Sequence, residues 1–262
     1  MTVKAKKHLG QHFLNDKTVC QRIAKAMEDS GFDFKKVLEI GPGMGALTAD
    51  LLQSDQFETH VMEIDTESVV YLKEYFEKLD GKIHENDFLN TDLKAIMGKE
   101  PFAIAGNFPY NISTQILFTV LDYRDQIPLI VGMFQKEVAE RIAEPPGSKK
   151  YGITSVLLQA YYDIEYLFTV PPEVFTPVPK VDSGVIRLKR NTVKQLDCDE
   201  VLFKQIIKMA FNQRRKTLRN SLKAMLIERQ IDHTLHEKLF ARRPESLSVE
   251  EFIYITKLFT TV

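Results

Sequence analysis

The feature that most constrains this chain is a short apolar strand running into three alternating glycines, Val37-Leu38-Glu39-Ile40-Gly41-Pro42-Gly43-Met44-Gly45. Glycines at 41, 43 and 45 strip the Cβ atoms from the bend, so the backbone can turn sharply and a ligand can come close. Ala46-Leu47-Thr48 then opens a helix. Glu63 closes the next apolar run, His60-Val61-Met62-Glu63-Ile64-Asp65, 22 residues after Gly41. At that distance a carboxylate ending the second strand can hold a ribose. A glycine loop alone reads better as a tight turn or helix cap. Joined to the acidic residue, it reads as a nucleoside site, a nicotinamide cofactor included.

In chain order, residues 1–15 are expected to form an irregular basic arm. Asp16 suits the N-cap of a helix that carries Val19, Ile23, Ala26 and Met27 on one face and is ended by Gly31. The glycine loop leads to a helix reaching about Gln53. The second strand leads to a helix from about Glu67 to Lys78. A short third strand spans 82–86, a fourth 101–106 and a fifth 129–134, with a helix from about Ser113 to Leu121 before the fifth. This alternation predicts an α/β fold, a doubly wound parallel sheet with helices on both faces. Stretches 161–168 and 183–188 read as two more strands at one edge. From about residue 191 the pattern turns all-helical. The predicted domains are therefore 1–190 and a small helical C-terminal domain, 191–262.

Composition narrows the possible partners. The apolar runs are too short to span a membrane, and the amino terminus has no secretory h-region. Cys20 and Cys198 lack metal-ligand spacing, so a cytosolic protein with idle thiols and no metal is expected. Net charge is −1, which argues against indiscriminate nucleic-acid binding. Its distribution is uneven: residues 191–262 hold 13 Lys+Arg against 9 Asp+Glu, and residues 1–190 hold 22 against 27. Residues 1–25 are again basic. Basic ends around an acidic middle suit an acidic partner held from two sides.

Chemistry becomes specific at Asn107-Phe108-Pro109-Tyr110, where the fourth strand ends. In an open α/β sheet, ligands gather beyond the carboxyl ends of the strands, and Gly41, Glu63, Asp87 and Asn107 each sit at one. A polar-apolar-Pro-aromatic turn suits methylation of the exocyclic amine of a base. The lone pair of that nitrogen is delocalised into the ring. The Asn107 carbonyl and a backbone carbonyl beside Pro109 can each accept one N–H bond and so direct the lone pair. Tyr110 offers a ring on which the base stacks. Positioning would supply most of the rate, with neither a metal nor a covalent intermediate.

The chain resembles the KsgA-type small-subunit ribosomal RNA adenine N6,N6-dimethyltransferases, whose relatives include the Erm methyltransferases. The resemblance covers nearly the whole chain. It rests on 9–14 (Leu-Gly-Gln-His-Phe-Leu), 39–43 (Glu-Ile-Gly-Pro-Gly), 63–65 (Glu-Ile-Asp), 86–88 (Asn-Asp-Phe) and 107–111 (Asn-Phe-Pro-Tyr-Asn). It continues through 175–183 (Phe-Thr-Pro-Val-Pro-Lys-Val-Asp-Ser) and 214–218 (Arg-Arg-Lys-Thr-Leu). Two departures are mild: Phe108 stands where the family usually has Leu, and His12 where it often has Asn.

The resemblance implies a seven-stranded, mostly parallel Rossmann-like methyltransferase sheet and S-adenosylmethionine as methyl donor. Gly41 and Gly43 would approach the cofactor, Glu63 would accept from its ribose and Asp87 from its adenine amine, and His12 and Leu14 would close over it. Asn107 would lie at both cofactor and target. The target implied is two adjacent adenosines in a hairpin loop near the 3′ end of small-subunit rRNA, four methyl transfers in all, on the 30S subunit or its precursor. Alternatives are an Erm-like enzyme acting on large-subunit rRNA and a non-catalytic assembly factor. The loop 171–179 carries four prolines that hold it stiff, which would let Phe175 face the target base opposite Tyr110. Arg215, Arg219 and Lys223 recur every fourth residue and, with Arg214, are expected to form a cationic RNA-binding stripe on one helix. Arg242-Arg243 would extend it, and Glu245 to Leu258 would close the chain as a helix. Nothing in the sequence calls for an obligate dimer.

Overall fold

A computed structural model describes residues 3–260. The chain begins with β1 (Phe13–Leu14), α1 (Lys17–Glu28), β2 (Lys36–Ile40), α2 (Ala46–Leu51), β3 (Glu58–Glu63), α3 (Thr66–Tyr75) and β4 (Ile83–Glu85). It continues through α4 (Leu93–Met97), β5 (Phe102–Asn107), α5 (Ser113–Asp122), β6 (Leu129–Gln135), α6 (Lys136–Ala143) and α7 (Ile153–Gln159). Then come β7 (Tyr162–Val170), β8 (Phe175–Thr176) and β9 (Ser183–Arg190). Helices α8 (Glu200–Asn212), α9 (Leu218–Ser221), α10 (Lys223–Glu228), α11 (Glu237–Phe240) and α12 (Val249–Thr260) follow.

Seven strands form one sheet in the order β4-β3-β2-β5-β6-β9-β7. Strands β2 to β6 are mutually parallel, and β9 is antiparallel to β6. The central strands read as near-continuous apolar runs because both faces are covered; Val37, Leu38, Ala103, Ile104, Val131 and Met133 are all fully buried. From β2 the chain moves outward to β3 and β4, then returns to the other side of β2 as β5. Strand order reverses between β2 and β5, where a crevice opens beyond the strand ends.

Local signals account for the helix starts. The Asp16 carboxylate accepts the Thr18 and Val19 N–H groups at 2.8 and 3.4 Å, capping α1. Val19, Ile23 and Met27 are then buried along one face. The helix ends at Glu28, and Gly31 supplies a left-handed turn (φ +77°) a little beyond it. Asp65 caps α3 in the same way.

Two expected features take another form. The arm is not irregular: a 3-10 turn spans Lys7–Leu9, and β1 pairs antiparallel with β8, Phe13 opposite Thr176 and Leu14 opposite Phe175. Nor do Arg215, Arg219 and Lys223 share a continuous helix. Helix α8 stops at Asn212, Arg215 lies in the following turn, and α9 and α10 are separate short helices broken at Leu222 (φ −100°, ψ 6°). The closing helix begins at Val249, with a 3-10 turn over Pro244–Ser246 ahead of it.

The chain divides into two compact units. One holds the residues up to 140 together with 163–190; the other holds 141–162 together with 191 onward. The helical unit thus takes in α7 as well as everything after 190. The cause is packing, since α7 lies against α8 and α12.

Candidate active site

The glycine bend is built as its composition requires. Gly41, Gly43 and Gly45 have φ of +66°, +55° and +79°, a region costly for any residue with a Cβ. A Cβ on Gly43 would come within 2.8 Å of the Phe13 ring, and one on Gly41 within 3.5 Å of Pro109. The bend therefore touches both the amino-terminal arm and the Asn-Phe-Pro-Tyr turn. All three border one cavity of about 220 Å³, lined among others by His12, Gly41, Glu63, Asp87 and Asn107.

Glu63 is nearly inaccessible, and its carboxylate is fixed by backbone donors. Oε2 accepts Gly43 N–H at 3.1 Å, and Oε1 accepts those of Ile64 and Asp65, each at 2.9 Å. Burial pushes its carboxyl up, and these three bonds oppose that shift. A carboxylate has about four acceptor positions, so one is left for a ligand hydroxyl. Asp87 borders the cavity and also caps the turn Phe88–Asn90, accepting Leu89 N–H at 3.0 Å and Asn90 Nδ2–H at 2.6 Å.

Asn107 stands at the end of β5. Its Nδ2 donates to the His12 carbonyl at 2.9 Å. An amide has donors on one side only, so this bond fixes which way the group is turned and leaves Oδ1 as the free acceptor. Pro109 carbonyl accepts Ile112 N–H at 3.2 Å. Tyr110 is fixed at its hydroxyl by Ser183 Oγ, 2.6 Å away, and burial raises its pKa. The His12 ring stacks on Tyr110 at 5.4 Å, while its Nδ1 is 2.7 Å from the Pro177 carbonyl.

Phe175 departs from its expected place. It does not line the cavity opposite Tyr110; it is 1% exposed and packs in the core with Leu14, Val19 and Ile23. Strand alternation explains this: in β8 Thr176 faces outward and Phe175 inward. Leu14 is also buried in that core and still borders the cavity. Phe108 borders it too, but its ring is buried on Gly106 and Gly132 and edge-on to Phe134.

Residues not foreseen from sequence also meet here. Glu39 is 2% exposed and borders the cavity, and Thr48 Oγ1 donates to its Oε2 at 2.6 Å. Burial pushes its carboxyl up to about 8, Thr48 lowers it, and the nearby Glu63 charge raises it. The available signal was an acid inside an otherwise apolar strand. Asp65 holds Lys6 by an ion pair and Gln11 by a hydrogen bond of 3.2 Å.

In the helical unit, Arg214 donates to the Lys149 carbonyl at 2.7 Å. Arg219 and Lys223 border a shared groove with Asn220, Gln230 and His233. Arg242 is occupied internally, paired with Glu251 and bonded to Ser246.

A switch-point crevice that brings a glycine bend against an Asn-Phe-Pro-Tyr turn defines the chain as a Rossmann-like methyltransferase. Comparison narrows that class. Residues 2–260 match the family described as ribosomal RNA adenine dimethylase, and the chain belongs to it. It is 57% identical over 258 residues to the ribosomal RNA small subunit methyltransferase A of Cytophaga hutchinsonii, covering 98% of each chain. With the Flavobacterium johnsoniae protein of the same name it shares 55% over 255 residues, 97% of this chain and 95% of that one. Among solved structures it is similar to the 23S rRNA methyltransferase ErmE (TM-score 0.66, 26% identity, 94% of this chain and 99% of that one). Its fold matches that of a dimethyladenosine transferase from Plasmodium falciparum (TM-score 0.79, 22% identity, 95% and 98% covered).

Proposed function

We propose that this chain transfers methyl groups from S-adenosylmethionine to N6 of two adjacent adenosines in the hairpin loop near the 3′ end of small-subunit rRNA. Two dimethyladenosines need four transfers. The observation that carries the reading is the Asn107 amide at the cavity's edge, clamped by its nitrogen so that its oxygen remains the acceptor.

The residues present fit the cofactor. Bare glycine backbone at 41 and 43 admits close approach, Glu63 offers a remaining acceptor for a ribose hydroxyl, and Asp87 offers one for an amine. His12 and Leu14 cover the cavity from the arm. When bound, S-adenosylmethionine supplies a methyl carried on positively charged sulfur.

The protein's own part is orientation. Asn107 Oδ1 accepts one N6–H of the target adenine. The second N–H is assigned to a backbone carbonyl beside Pro109; that of Pro109 itself accepts Ile112 N–H and has a lone pair left. With both hydrogens held, the nitrogen lone pair points at the donor. Tyr110, anchored through Ser183, gives the base a face to stack on once the His12 ring yields it. Such positioning alone can remove on the order of 7–11 kcal/mol from a bimolecular barrier. After the first methyl only one N–H remains, so the second transfer relies on one acceptor and is the slower.

Arg214, Arg215, Arg219 and Lys223 grip the RNA backbone, and the working partner is the 30S subunit or its precursor, engaged by a monomer in the cytoplasm. Labelled S-adenosylmethionine incubated with unmethylated small subunits tests the reading. Label should appear in N6,N6-dimethyladenosine. Label on large-subunit RNA would move the assignment to an Erm-like activity, and no label on either would leave an assembly factor.

A further inference from the structure

We propose that Asp65 is a positioning residue that acts on Asn107 through the amino-terminal arm; the inference rests on the methyl-transfer reading above. The Asp65 side chain is fully buried at the start of α3. It receives the Lys6 ammonium, Gln11 Nε2 at 3.2 Å and Ser68 Oγ at 2.9 Å. Burial pushes its carboxyl up, but these partners together hold it below the ordinary value, so it stays charged.

Lys6 and Gln11 bracket the turn Lys7–Leu9. Gln11 Oε1 also accepts Lys6 N–H at 2.8 Å, so both ends of the turn are tied together and to Asp65, and Lys6 also reaches Glu67 at 3.2 Å. The next carbonyl along, that of His12, accepts the Asn107 amide. Gly10, at φ +66°, brings arm backbone so close to Asn111 that a Cβ there would lie 2.5 Å from Asn111 Oδ1. The segment that aims the target amine is thus registered against the arm, and the arm against Asp65. An Asn107 without the His12 carbonyl has no fixed rotamer of its amide and can turn nitrogen toward the base. Nitrogen repels the N6 hydrogens that the oxygen accepts.

The test uses two full-length loosening variants and one conservative control. Lys6→Met combined with Gln11→Leu removes both donors from the arm and leaves Asp65 free to cap α3. Asp65→Asn keeps a capping side chain while removing the charge. Hydrogen exchange over residues 6–14, read without RNA or cofactor, should accelerate at least tenfold in both, with the rest of the sheet unchanged. At saturating S-adenosylmethionine, kcat on unmethylated small subunits should fall about tenfold or more, and Lys6→Arg should retain most of it. Unchanged exchange would overturn the latch. A loosened arm with normal kcat at saturation, the loss confined to cofactor affinity, would overturn the coupling to Asn107. Wild-type protein that methylates no adenosine would instead overturn the functional reading, and the Asn107 role with it, while the exchange result would still decide the latch.

Discussion

Glu39 sits where an ionised carboxylate is least tolerated, at a buried strand end beside a second acid. Its carboxyl is pushed from an ordinary 4.5 to about 8, by burial first and by Glu63 next, against the opposing bond from Thr48. A folded value above the unfolded one gives stability that is complete below about pH 4.5. That stability is lost as pH rises through about 8. Glu39→Gln keeps an acceptor for Thr48 and removes the titration. It should raise the melting temperature by roughly 2 °C or more at pH 8 and change it little at pH 5, as read by thermal denaturation. Equal gains at both values would show that the carboxyl does not titrate in this range. At this scale the sequence was readable where a residue's position follows from its own strand end, as at Gly41, Glu63 and Asn107, which all border one cavity. It was not readable for Phe175, whose inward side depends on pairing with Leu14, nor for Asp65, whose partners lie 59 and 54 residues away.

Among elements, β5 and β6 show how the departure at Phe108 is absorbed. The ring fills space left by glycines on two adjacent strands: a Cβ on Gly132 would fall 2.1 Å from it, and one on Gly106 2.7 Å. Gly132→Ala should therefore cost about 1–3 kcal/mol through overpacking. Phe108→Leu in the same chain should recover much of that, so the double variant is more stable than the two single losses predict. Urea unfolding midpoints check this; simple additivity would mean the two positions do not share the space. The strand–helix alternation and the start of α1 were legible because apolar patterning and the Asp16 cap are local. The cationic stripe was misread because counting every fourth residue assumes one helix, and the backbone breaks at Gln213 and again at Leu222.

For the molecule as a whole, charge follows the two units more sharply than it follows residue 190. The helical unit carries 16 Lys+Arg against 10 Asp+Glu, and the sheet unit 19 against 26. Arg219 and Lys223 remain together on one groove although they sit on separate helices. Reversing both to Glu should weaken binding to small-subunit RNA and flatten the plot of log affinity against log salt by roughly 1.5 or more. An unchanged slope would make them ordinary solvated side chains. The most direct measurement is single-turnover methyl transfer by Asn107→Ala on unmethylated small subunits, with cofactor affinity determined on the same preparation. Transfer to adenosine N6 should drop at least about 100-fold at saturating cofactor, with affinity for S-adenosylmethionine largely kept. Wild-type turnover by that variant would contradict the claim that the Asn107 amide aims the reacting nitrogen.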